Sequence, residues 1–133
     1  MTWLFYAVNL FALFMWILLI FAPRAQLTRQ TASALWPFAI LTTYYLVNLV
    51  YTLVMQPTLT LSLEAFFALP TGLYAGWTHY LVVDLFVGQH IYRRTRHYNG
   101  WYVFNQVLTL MVAPLGVVMF LYRQRQQPSL NSP

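Results

Sequence analysis

The chain of 133 residues contains no cysteine and no lysine, and only two acidic side chains, Glu64 and Asp84. Without cysteine there is no disulfide, zinc ribbon, iron–sulfur cluster or thiol nucleophile. Charged residues make up 7% of the sequence, where soluble domains carry about 25%. Too few charges remain to clothe a water-soluble core. That excludes a soluble enzyme, a disordered tail and a nucleic-acid module with a broad basic face. Gly-x-Ser-x-Gly, His-Glu-x-x-His and a phosphate-binding glycine loop are also missing, so neither hydrolase nor nucleotide chemistry is indicated.

What the chain has instead is apolar surface: 60% hydrophobic and 19% aromatic residues. Four runs each reach the roughly 20 apolar residues that a bilayer-crossing helix needs. They are Thr2 to Ala22, Leu35 to Met55, Thr71 to Tyr92 and Trp101 to Tyr122, closed by Pro23-Arg24, Gln56-Pro57, Arg93-Arg94 and Arg123. The expected fold is an all-α integral membrane protein, four transmembrane helices in a compact bundle. Residues 1–122 would form this single domain and residues 123–133 a polar, disordered tail. The first run reads as a retained helix rather than a signal peptide, since only Met1 and Thr2 precede Trp3 and Phe21-Ala22-Pro23-Arg24 is a poor cleavage site. Leu59, Leu61, Leu63, Phe66 and Phe67, between the second and third runs, suggest a segment lying in the interface.

Arginine counting orients such a bundle. Arg24, Arg29, Arg93, Arg94 and Arg96 fall on one side of four straight spans, Arg123 and Arg125 on the other. The first side, with loops 23–34 and 93–100, is then cytoplasmic or its equivalent, and both termini lie opposite. In a competing arrangement Pro114 and Gly116 break the last run and return the chain, placing all seven arginines on one face. The straight span is preferred because membrane helices tolerate proline. Trp3, Tyr6, Trp36, Trp77, Tyr92, Trp101, Tyr102 and Tyr122 lie near the run ends, as in an interfacial aromatic belt.

Asp84 is the one formal charge inside the four runs. A carboxyl at that depth costs about 2.5–3.5 kcal/mol on insertion scales, so a functional role is the default reading and helix-pinning hydrogen bonds the alternative. At 100° per residue, Trp77, Tyr80, Asp84, Gly88 and Ile91 share one helix face, whereas His79 lies about 140° from Asp84. Thr109, Asn105 and Gln106 match the depth of Asp84; Asn9 and Asn48 match that of His79. The two asparagines read most simply as interhelical hydrogen-bond glue. Asp84 and His79, with Trp77, Tyr80, Gly88, Asn48 and Thr109, make up the candidate site. His79 and His90 are about 16 Å apart along one helix, too far to share a metal, and a two-histidine haem site is not formed. No cofactor is required; a chlorophyll or other pigment taking one axial histidine is an alternative that composition alone does not support.

The string His79-Tyr80-x-x-x-Asp84-Leu85-Phe86-x-Gly88 resembles the signature of the neoxanthin synthase-like (abscisic acid-deficient four) membrane protein family. Leu108 to Gly116, followed by Tyr122-Arg123, is similar to that family's fourth-helix pattern. The chain departs from it at Ala113, Gln89, His90 and Arg93-Arg94. The resemblance implies a carotenoid-related role in a thylakoid or bacterial inner membrane, with carotenoid and lipid as partners. The implied reaction opens an epoxy-carotenoid to an allenic product without net redox change. An acid must protonate the epoxide oxygen and a base remove a proton from the polyene side; a neutral Asp84 would be the acid, and His79 or water the base. The rival expectation is a non-catalytic pigment- or lipid-binding subunit of a larger photosynthetic membrane complex or of a homo-oligomer. A small proton-coupled transporter ranks third, because four helices leave little room for alternating access. No nucleic acid is expected.

Overall fold

The computed structural model describes residues 2–55 and 62–126, and every regular element among them is helical. The elements are α1 (Thr2–Phe21), α2 (Gln26–Ser33), α3 (Trp36–Met55), α4 (Leu63–Ala68), α5 (Pro70–Arg94), α6 (Gly100–Met111) and α7 (Ala113–Gln126). Local chemistry fixes their ends. Pro70 opens α5 where its missing N–H goes unneeded, and Arg93 and Arg94 close it against the negative end of the helix dipole. Ser62 caps α4 through Ala65 N, and Asn99 caps α6 through Tyr102 N at 3.1 Å. The first expected connection contains α2, tied back to α1 by the Thr28 hydroxyl, which donates to the Ala22 carbonyl at 2.6 Å. Of the expected interfacial segment, Leu59 and Leu61 lie outside the described residues, while Leu63, Phe66 and Phe67 belong to α4.

The first three apolar runs correspond to α1, α3 and α5. Two helices, α1 over Trp3–Phe21 and α3 over Trp36–Met55, are long and apolar enough to cross a membrane. Only 33% and 22% of their most apolar windows are buried, so neither is the hidden core helix of a water-soluble domain. On parts of α3 and α6 the exposure pattern is inverted. On α3 the buried positions include Tyr44, Asn48 and Thr52, while Val47, Val50 and Val54 face outward. On α6 Tyr102, Asn105, Gln106 and Thr109 are buried, whereas Val103, Phe104, Val107 and Met111 are exposed. Polar groups inside and aliphatic groups outside suit hydrocarbon rather than water.

The fourth run is not a straight span. Val112, at φ −147° and ψ 83°, ends α6, and the N–H groups of Leu115 and Gly116 start α7 on its carbonyl. Pro114 cannot donate to the preceding turn, so the helical ladder stops there. The chain then reverses. A Cβ on Gly116 would stand 2.8 Å from Thr109 Cα, and the Arg123 guanidinium lies 4.7 Å above the Trp101 ring. In a straight helix Trp101 and Arg123 would be about 33 Å apart. Preferring the straight span because membranes tolerate proline was therefore wrong: α6 and α7 form an antiparallel hairpin. Hydropathy cannot distinguish the two, since both bury the same apolar residues. The expected tail is likewise shorter at its start, because α7 continues through residues 123–126; residues 127–133 lie outside the described residues.

The chain groups into two compact units, the first of residues 1–12 and 34–83, the second of residues 13–33 and 84–133. In the first, Phe5 stacks on Tyr74 at 4.4 Å, Trp77 Nε1 donates to Asn9 Oδ1 at 2.7 Å, and the Thr52 hydroxyl donates to that of Thr71 at 2.7 Å. In the second, the Tyr102 hydroxyl donates to the Leu19 carbonyl at 2.5 Å and the Tyr92 hydroxyl to the Pro23 carbonyl at 2.9 Å. Both tyrosines are thus buried anchors rather than members of an aromatic belt. Trp3, 87% exposed, has the outward placement a belt requires.

Candidate functional site

The sequence-derived candidates divide between the two units. Trp77, His79, Tyr80 and Asn48 fall in the first; Asp84, Gly88 and Thr109 fall in the second. Each set is described by itself.

In the first unit His79 is exposed and its ring lies 5.6 Å from that of Tyr45. Tyr80 is exposed, and Trp77, half-exposed, is held by Asn9. Asn9 is therefore the interhelical link expected of it. Asn48 is not: its amide donates to the Tyr44 carbonyl one turn earlier on the same helix, at 2.9 Å. The Thr52 hydroxyl accepts nothing from it but donates to the Asn48 carbonyl. The Tyr44 hydroxyl and Asn48 Oδ1 are buried and make no hydrogen bond among the described residues.

In the second unit Asp84 is half-buried and makes neither a hydrogen bond nor an ion pair with another described residue. Its carboxyl is not a pin between helices. Along α5, His79 remains about 140° around and about 7.5 Å away, so the helix itself does not bring this acid and base together. Gly88 is a contact point: a Cβ there would meet Trp16 Cη2 at 2.6 Å, and its carbonyl accepts from Gln106 Nε2 at 2.9 Å. Thr109 is spent on structure as well, its hydroxyl donating to the Asn105 carbonyl and its backbone backing Gly116.

The same unit holds the polar interior that the candidate list omitted. Trp16, Gln89, Asn105 and Gln106 are each about 1% exposed or less. Trp16 Nε1, Gln89 Nε2 and both polar atoms of the Asn105 amide are without a hydrogen bond among the described residues. A buried unpaired polar group costs about 1–3 kcal/mol, and such concentrations ask for an explanation. Trp16 carried a signal in the sequence, standing well inside its apolar run where a belt residue would not. Asn105 and Gln106 carried another, at i, i+1 beside Tyr102 and Thr109 on one face of an otherwise apolar helix.

The arginines form the unit's other feature. Arg93 donates through Nε and Nη2 to the Ala32 carbonyl and through Nη2 to Gln89 Oε1, closing the end of α2. Arg94, Arg96 and Arg123 instead line a cavity of about 370 Å³ together with His97, Trp101 and Asn105. Among the described residues no group of histidines, cysteines and acids is placed to hold a metal ion.

No curated protein and no solved structure shows a match to the chain. A family model does, over residues 3–120, which include α5 with its His79–Gly88 string, α6 and the first part of α7: the chain belongs to the ABA DEFICIENT 4-like family.

Proposed function

We propose that the protein handles carotenoid within a membrane, and that its activity is the isomerisation of an epoxy-carotenoid. The observation that carries this reading is the family match across nearly the whole chain, whose name points to xanthophyll chemistry. The inverted exposure pattern supports the location. In this reading α1 and α3 are helices that cross the bilayer. At about 18 Å, α6 reaches only partway across. The apolar strip of Val47, Val50, Tyr51 and Val54 on α3 suits a polyene or an acyl chain.

Asp84 is the proton donor of the proposed reaction. Its proton passes to the epoxide oxygen, the ring C–O bond breaks, and loss of a polyene proton to a base leaves an allene and a hydroxyl with no change in oxidation level. An unpaired carboxyl has no competing hydrogen bond to surrender before it acts. Water or His79 takes the second proton. The test is expression in a carotenoid-accumulating host, followed by chromatographic separation of its pigments. An isomerase yields a new pigment peak of unchanged mass, and Asp84→Asn removes it; full activity in that variant would show the assignment to be mistaken.

A second reading is favoured by one observation, the 140° between Asp84 and His79. Without a paired acid and base, the chain holds pigment as an accessory subunit of a larger photosynthetic assembly. Pigment that co-purifies and remains unchanged on incubation selects that reading.

A further inference from the structure

The arginine-lined cavity of the second unit has no part in pigment chemistry, yet it is built like a binding site. From its residues we infer that it receives a phosphate-bearing group. Arg94 and Arg96 follow the end of α5, Arg123 comes back from α7, and His97 stands between them. The chain's two acids, Glu64 and Asp84, do not line the cavity, so its three guanidinium groups have no counter-ion there among the described residues. None of the three makes a hydrogen bond or ion pair with another described residue, in contrast with Arg93. Trp101 holds Arg123 by its ring face and thereby aims the guanidinium without consuming its donors.

The second, independent observation is Asn105. It is 1% exposed, lines the same cavity, and leaves both amide atoms without a hydrogen bond. Its buried neighbours on α6, Tyr102 and Thr109, each donate a hydrogen bond through their hydroxyls. An unpaired buried amide beside a cationic cavity is suited to an oxyanion. The positive end of α6, which begins at the cavity wall, adds to the same field. A carboxylate is satisfied by one bidentate arginine, whereas three arginines and an amide match the several acceptor oxygens of a phosphate. The volume accommodates a phosphate ester and its first carbons but not a folded peptide.

Such a group could belong to a phospholipid headgroup or to soluble phosphate, and two arms separate these sources. In the first, the full chain is reconstituted in vesicles of a phosphate-free galactolipid with or without phosphatidylglycerol, released into neutral detergent, and weighed intact by native mass spectrometry. In the second, inorganic phosphate is titrated into lipid-free micelles while tryptophan fluorescence is read, with Trp101→Phe as the control for the reporting ring. Selective retention of phosphatidylglycerol identifies the lipid; a saturable fluorescence response identifies the soluble ion. In whichever arm responds, Arg94→Gln and Arg96→Gln should each weaken binding about tenfold, the loss of one charge-assisted contact. Asn105→Leu should weaken binding while the unliganded protein melts no lower, which a purely structural asparagine would not do. Equal retention of the two lipids together with no phosphate response overturns the proposal, as does unchanged binding in all three variants.

Discussion

Both units are built mainly of apolar residues and differ in how they spend their polar groups. All seven arginines of the sequence lie in residues 13–33 and 84–133; the unit of residues 1–12 and 34–83 has none. The arginine-free unit spends most of its polar groups within and between helices, Trp77 on Asn9 and Thr52 on Thr71 and Asn48, and leaves the Tyr44 hydroxyl and Asn48 Oδ1 unpaired among the described residues. The arginine-rich unit leaves Trp16, Gln89 and Asn105 partly unpaired and its carboxyl alone. Polar groups satisfied by each other hold a fold together; polar groups left open at similar burial are available to a ligand. Composition is blind to that distinction, which emerges only once the hairpin has brought Arg123 beside Trp101.

The largest effect expected comes from attacking that hairpin. Gly116→Leu places a side chain against the Thr109 backbone, which cannot swing aside as a side-chain tip would. Overpacking of this kind costs about 3 kcal/mol or more where no relaxation is open, and detergent-solubilised protein should melt far lower. The chain's lack of cysteine permits a direct check of topology. A Trp101→Cys, Arg123→Cys double variant should be closed by a short bifunctional thiol reagent, visible as a mobility shift under denaturing conditions. A straight helix would hold those thiols about 33 Å apart and give no closure.

This also marks what could be read from the residues beforehand. The three runs that became α1, α3 and α5 were legible because an uninterrupted apolar stretch has one inexpensive arrangement in hydrocarbon. The fourth was not, because a hairpin and a span have equal hydropathy and are separated only by whether Gly116 packs on Thr109. Asp84 stood out as the one charge within the four apolar runs, and it is half-buried without a hydrogen-bond partner among the described residues. That Thr109 and Gly88 serve packing was hidden in helix rotation, and depth counting could place them at a level but not on a face. Arg93 was counted with its neighbours for charge, whereas its task is to close α2 on the Ala32 carbonyl.

A smaller effect sharpens the contrast between the units through their glycines. Gly88→Ala pushes against Trp16, a fully buried indole fixed by its surroundings, and should cost about 1–3 kcal/mol. Gly76→Ala meets only the ring of Phe67, which is exposed and free to turn. There the gain in helix propensity, about 1 kcal/mol, should outweigh the contact and leave the melting temperature unchanged or raised. Parallel thermal melts in one detergent decide it; equal losses at both glycines would mean that the two units are packed alike.

The smallest change in stability should come from the residue on which the proposed chemistry depends most. Asp84 has no partner among the described residues, so Asp84→Asn removes no hydrogen bond and no ion pair. It substitutes an amide of nearly the same volume for a group whose charged form is disfavoured in hydrocarbon. The expected shift is within about 0.5 kcal/mol of zero, while isomerase activity disappears. A carboxyl that pinned two helices would behave oppositely, lowering the melting temperature by the equivalent of about 1–2 kcal/mol and reducing activity only as far as folded protein is lost. Normalising turnover to the folded fraction separates the two, because stability and chemistry are drawn from different sets of contacts in the arginine-rich unit.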